Sequence, residues 1–152
     1  MKTFFGTEAT SVDATRNQVP IKGSYSGKVE WNNGAPLFSG MGVAPHLGKS
    51  TYEGNIVINT GSVDSAGNVR DEQYATLKFA NGDAFKIVSH DLACPKGPGQ
   101  YQGGGNWEAI EGSGTGRFSG ITGGGTFDCH SDYNKGVFDL EMTGAISVPR
   151  GN

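Results

Sequence analysis

Cysteine is scarce in this chain, and clustered positive charge is missing altogether. Two cysteines, Cys94 and Cys129, stand in 152 residues, too few for the dense disulfide framework of small secreted domains. The net charge is −3 and no run of Lys or Arg occurs. That argues against a nucleic-acid partner, whose phosphates need several cations to neutralise them. Apolar runs are only a few residues long, short of the ~20 that a membrane-spanning helix needs. The opening segment, "MKTFFGTEATSVDATRNQ", has no apolar stretch of the kind a secretory signal requires. The expectation is a cytoplasmic protein as written, with export of a processed form left open. The three histidines show neither H-x-H nor H-E-x-x-H spacing, and no Gly-x-Ser-x-Gly elbow occurs, so no metal and no cofactor is expected.

Glycine is what the chain has in excess: 26 residues, against a usual share of ~7%. A disordered glycine-rich tract would lack aromatics, but here 10% of residues are aromatic and 35% hydrophobic. The remaining Thr, Ser, Val and Phe favour strands. A chain of this length reads as one domain able to bury a core unaided, 1–152, with residues 1–20 as a polar arm.

Alternation places the strands. In "GSYSGKVEW" (23–31), Tyr25, Gly27, Val29 and Trp31 share one face. "NNGAP" is a turn. "LFSGMGVAPHLG" (37–48) puts Gly40, Gly42, Ala44 and His46 on one side, with Met41 and Val43 on the other. "STYEGNIVINT" (50–60) is a further strand, and the polar stretch 61–73 reads as a loop. "YATLKFANGDAFKIVSHD" (74–91) is a hairpin. A three-residue loop at 81–83 pairs Leu77 with Ile87 and Phe79 with Phe85, keeping the apolar set on one face. Ser89 and Asp91 continue that face. Residues 92–105 read as a Pro/Gly loop, 106–111 as a strand, and 126–148 as a second hairpin around Asp132–Gly136. Seven or eight strands and no helix predict an all-β fold, a closed antiparallel β-barrel without free edges.

The densest glycine stretch, "GTGRFSGITGGGTF" (114–127), matches neither a P-loop nor a dinucleotide fingerprint, and no helical pattern follows it. Glycine inside strands marks bulges, corners or close backbone approach, with Phe118, Ile121 and Phe127 as core anchors. This stretch followed by "GVFDLEMTGAIS" (136–147) resembles the C-terminal half of allene-oxide-cyclase-like and dirigent-like (calycin-like) barrels, in particular their bacterial relatives. "GVAPHLGKSTYEG" (42–54) resembles an Ala-x-His-Leu-Gly-Arg segment of the same group, with Lys49 where Arg is usual. The resemblance spans about residues 36–148. It implies an eight-stranded barrel, sometimes trimeric, that in some members binds a hydrophobic molecule and steers its cyclisation or coupling without a cofactor. No catalytic residue of the plant enzymes finds a match here.

The candidates for chemistry are few. His46 sits among small residues and could shuttle protons, or simply tie down a strand end. Asp91 ends an apolar stripe, where desolvation would raise its pKa and suit it to acid/base work. Its neighbour His90 faces the other way. Glu108 and Trp107 occupy opposite faces: one is inside, either as a buried acid or as a ring platform. Asp128 and His130 share a face opposite Phe127 and Cys129, and Glu30 and Glu53 fall on wet faces. Tyr25, Trp31, Phe79, Phe85, Trp107 and Phe138 are the aromatic residues expected to hold a hydrophobic or aromatic ligand. Cys94 and Cys129 could close a disulfide worth roughly 3–4 kcal/mol, or remain thiols. The expected function is therefore a barrel that binds a small molecule inside, acting as a cofactor-independent isomerase, cyclase or lyase. The alternatives are a non-catalytic carrier and a structural barrel with a filled interior. A dimer or trimer is possible.

Overall fold

Alternation of small or apolar residues with polar ones is sustained long enough to build eight strands. In the computed structural model, which describes residues 14–150, these are β1 (Arg16–Asn32), β2 (Ala35–Ala44), β3 (Gly48–Val63), β4 (Val69–Phe79), β5 (Ala84–Gly97), β6 (Gln100–Ala109), β7 (Thr122–Asp132) and β8 (Val137–Pro149). Each strand pairs antiparallel with the next, and β8 returns to β1, closing the barrel. Closure satisfies the backbone groups that an open sheet would leave at its edges. A 3₁₀ turn, Gly116–Phe118, sits in the β6–β7 connection.

Inward positions carry the core: Tyr25 and Val29 of β1, Phe38 of β2, Tyr52 of β3, Leu77 and Phe79 of β4, Phe85 and Ile87 of β5, Trp107 of β6, and Phe138, Leu140 and Met142 of β8 are all buried. Each such side chain contributes about 1.5–3 kcal/mol by leaving water. Glycine lets neighbouring strands close in: a Cβ on Gly27 would lie 2.1 Å from the Ser39 carbonyl oxygen across β1–β2.

The strands run longer than alternation alone suggests. The stretch 61–73 is not a loop. Only residues 64–68 turn, held by the Asp64 carboxylate, which accepts the amides of Ala66 and Asn68 at 2.9 and 3.0 Å. The stretch 92–105 is likewise strand on both sides of a tight turn at Pro98–Gly99. The first hairpin turns over four residues, 80–83, so Leu77 faces Phe85 and Ala75 faces Ile87. Asn81 Oδ1 accepts the Asp83 amide at 3.0 Å, and Gly82 supplies the positive φ of 93°. The register differs from the expected one by two residues, so every side chain keeps its face. β1 already begins at Arg16, opposite Pro149, so the polar arm is shorter than 1–20; residues 1–13 lie outside the described residues. Both cysteines are free thiols. Among the described residues no helix is long and apolar enough to cross a membrane.

Candidate functional site

The barrel interior divides into a filled half and a hollow half. At one end, where the β2–β3, β4–β5 and β6–β7 connections lie, Phe79, Phe85 and Phe118 meet with ring centroids 4.9–6.1 Å apart. The Arg117 guanidinium covers them, 4.8 Å from the Phe118 ring and 5.1 Å from Phe79, and donates to the Leu47 carbonyl at 3.0 Å. In the middle, Tyr25 and Ser50 share a 2.6 Å hydrogen bond, and the Trp107 indole N–H donates to the Thr143 carbonyl at 3.1 Å.

The other half holds a cavity of about 280 Å³. Its walls are Pro36, Phe38, Ile56, Val69, Ala93, Tyr101, Phe127, Cys129 and Tyr133, and Trp31 stands at its rim. Trp31 is 61% exposed, and its ring lies 5.9 Å from that of Tyr133. Tyr101 and Phe38 meet the same Tyr133 ring edge-on.

Two carboxyl groups lie within this apolar wall. The β4–β5 register sets Asp71 directly opposite Asp91, which brings facing side chains to ~5 Å at Cβ. Asp71 is only 8% exposed, and its Oδ1 has no hydrogen-bond partner. Asp91 Oδ1 accepts the Gly104 amide at 2.8 Å. That bond takes the place of a ladder contact: β5 and β6 pair at Asp91–Gly105 and at Cys94–Gln102, with the pairing interrupted between them. Glycine at 103 makes the room, since a Cβ there would lie 2.6 Å from Asp91 Oδ1. An outer groove along Arg70, Glu72, His90 and Asn106 is also bordered by Asp71 and Asp91.

Burial pushes the Asp71 carboxyl up to about 8, reinforced by the charge of Asp91 and a hydrogen bond with it. Burial also raises Asp91, against the hydrogen bonds from Asp71 and the Gly104 amide that favour its charged form. Two like charges this close and this dry do not both ionise readily, so the pair acts as one unit that keeps a proton at neutral pH. Beside it, the Tyr52 hydroxyl donates to Gln73 Oε1, and burial raises the Tyr52 and Cys129 pKa values.

Of the residues singled out in the sequence, Asp91 and Trp31 line the cavity. His46 does not face inward: it occupies the β2–β3 turn with φ 77°, exposed, after β2 has ended at Ala44. Glu108 points to solvent because Trp107 takes the inner position. Phe79 and Phe85 belong to the closed end, while Tyr25, Trp107 and Phe138 fill the core without lining the cavity. His90 is exposed beside Glu72 at 3.8 Å, and His130 beside Asp139 at 3.4 Å. Asp128, Glu30 and Glu53 are exposed as well. Asp71 was hidden inside the stretch read as loop. Its signal is the alternation Val69, Asp71, Gln73, Ala75, Leu77, Phe79, which runs unbroken into the apolar face. Among the described residues no group of three or more His, Cys, Asp or Glu side chains could hold a metal ion. No protein family, curated protein or solved structure matches the chain.

Proposed function

We propose that the open half of the barrel binds a small, largely apolar molecule and that the Asp71–Asp91 pair moves a proton on it without a cofactor. The observation that carries this reading is a like-charged carboxyl pair placed in an otherwise apolar, aromatic-walled cavity. Such a pair costs stability, and carboxyls perturbed in this way cluster at functional sites. A pair holding one proton has a base and an acid side by side, the requirement for isomerisation, cyclisation or elimination. The ring wall fixes the shape of the bound molecule, so positioning supplies the rest. The allene-oxide-cyclase-like resemblance of the glycine-rich segments is consistent with this chemistry and assigns no residue to it.

The reading is tested with 2-indanone in heavy water, following exchange of its α-protons by NMR. Catalysed exchange, slowed about 10²-fold or more by Asp91→Asn or Asp71→Asn, is the expected result. Amide shifts from the bound ketone should cluster on cavity residues such as Ala93 and Ser131. Binding without any acceleration over buffer would leave a carrier and remove the enzyme. Absence of shifts at the open end would remove the ligand-binding reading itself.

A further inference from the structure

We infer that the ligand of the open cavity is a small hydrophobic amine in its ammonium form, with its N–H donors on the Asp71–Asp91 pair and its carbon skeleton against the rings. This deepens the ligand-binding reading above and rests on it. Three observations converge. First, the fixed charge in the cavity is of one sign: among the described residues Asp71 and Asp91 line it, and no Lys, Arg or His does. Second, Asp71 Oδ1 is buried without a donor. A buried carboxyl oxygen so placed can accept a hydrogen atom from a ligand. Third, the surrounding wall is aromatic, with Trp31, Phe38, Tyr101, Phe127 and Tyr133 around the carboxyls. Ring faces attract cations, more strongly once water is excluded.

Other ligand classes fit less well. An anion would meet two carboxyls and no counter-charge. A neutral alcohol could donate one hydrogen bond to Asp71 but would leave the charge of the pair uncompensated in a dry site. An ammonium group answers both needs, with up to three N–H donors. Size sets a further limit: ~150 Å³ of cavity accommodates benzene, so about 280 Å³ suits one ring with a short chain.

The affinity for such a cation rises with pH, because loss of the proton that the pair still holds raises its negative charge from one to two opposite the ammonium. Other titratable groups face the pair as well. Burial holds Tyr52 of β3 and Cys129 of β7 protonated, and pushes Tyr133 up to about 12. Tyr101 of β6 completes the phenols. On the outer groove stand Arg70, Glu72 and His90, and His90 is paired with Glu72.

Calorimetric titration of the full chain with benzylamine hydrochloride, benzyl alcohol and sodium benzoate at pH 6 and pH 8 tests the inference. The expected order is amine, alcohol, benzoate, with the amine favoured over the alcohol about ten-fold or more at pH 8 and less at pH 6. Asp71→Asn should bring the amine down to the alcohol. His90→Gln should leave the pH dependence intact; its loss in that variant would assign the effect to the groove and overturn the inference. An alcohol equal to or tighter than the amine would also overturn it while leaving the ligand-binding reading standing. Failure of all three to bind would remove both. If Asp71→Asn fails to fold, the ranking on the unaltered protein still decides.

Discussion

At the closed end of the barrel, Phe79, Phe85 and Phe118 fill the interior and Arg117 seals it. At the open end, the same alternation of strand residues delivers Asp71, Gln73 and Asp91 to inner positions, and short turns carry the chain past without covering them. Strand geometry is common to both halves. What differs is the length of one connection, 110–121, which is long enough to fold Phe118 back into the barrel. The polarity of a few inner residues differs too. Stability and function are thereby assigned to opposite ends of one sheet, and the two should be separable by substitution.

The largest effect is expected at the filled end. Phe118→Ala leaves a cavity under the Arg117 cover and should cost about 3–5 kcal/mol, lowering Tm by about 10 °C or more. Ligand affinity at the open end should stay unchanged in the same protein, as calorimetry on the folded variant would check. Comparable losses of stability and binding would mean that the two halves are not independent.

The carboxyl pair should act in the opposite sense. Both groups have raised pKa values in the fold, so between the ordinary Asp value of 3.8 and about 8 the folded protein binds more protons than the unfolded chain. Stability attributable to the pair is full below that window and falls as pH rises through it. Asp71→Asn removes the penalty. Thermal melts should show the variant about 1–3 kcal/mol more stable than the unaltered protein at pH 8, with the gap shrinking at pH 4. An equal gap at both pH values would assign the effect to packing rather than to charge.

Gly103→Ala is expected to cost about 1–2 kcal/mol, since the new methyl group meets Asp91 Oδ1 and breaks its bond with the Gly104 amide. Unlike the loss at Phe118, it should also alter binding in the cavity, because it moves one member of the pair. Trp31→Ala should shift stability least, within about 0.5 kcal/mol for an exposed rim residue, while weakening affinity for a ring-bearing ligand.

Much of this architecture is legible in the sequence. Alternation is a backbone property of period two, so Tyr25, Val29, Phe127 and Leu140 announce their inner face locally, and a closed barrel follows from strands that must hide their edges. The half of the site around Asp91 is visible for the same reason. Asp71 is not, because a polar residue at an inner position looks like a loop residue until its partner strand is known. His46 misleads in the converse way: it keeps the alternating phase, but the strand has ended two residues earlier and the backbone has turned left-handed. Glu108 and Trp107 alternate equally well either way, and only packing against β7 and β8 chooses between them. Which end is plugged depends on Phe118 reaching back through a connection, a tertiary contact with no local pattern.

The central claim is that two carboxyl groups share a proton inside the hollow half. Carbon-13 NMR titration of the aspartate carboxyl carbons measures this directly. The account predicts a coupled pair in which one resonance titrates near 8, far above the ordinary Asp value of 3.8, and in which Asp91→Asn lowers Asp71 only part of the way, because burial remains. If every aspartate, Asp71 and Asp91 included, lost its proton below about pH 5 in the folded protein, the acid pair and the function built on it would be contradicted.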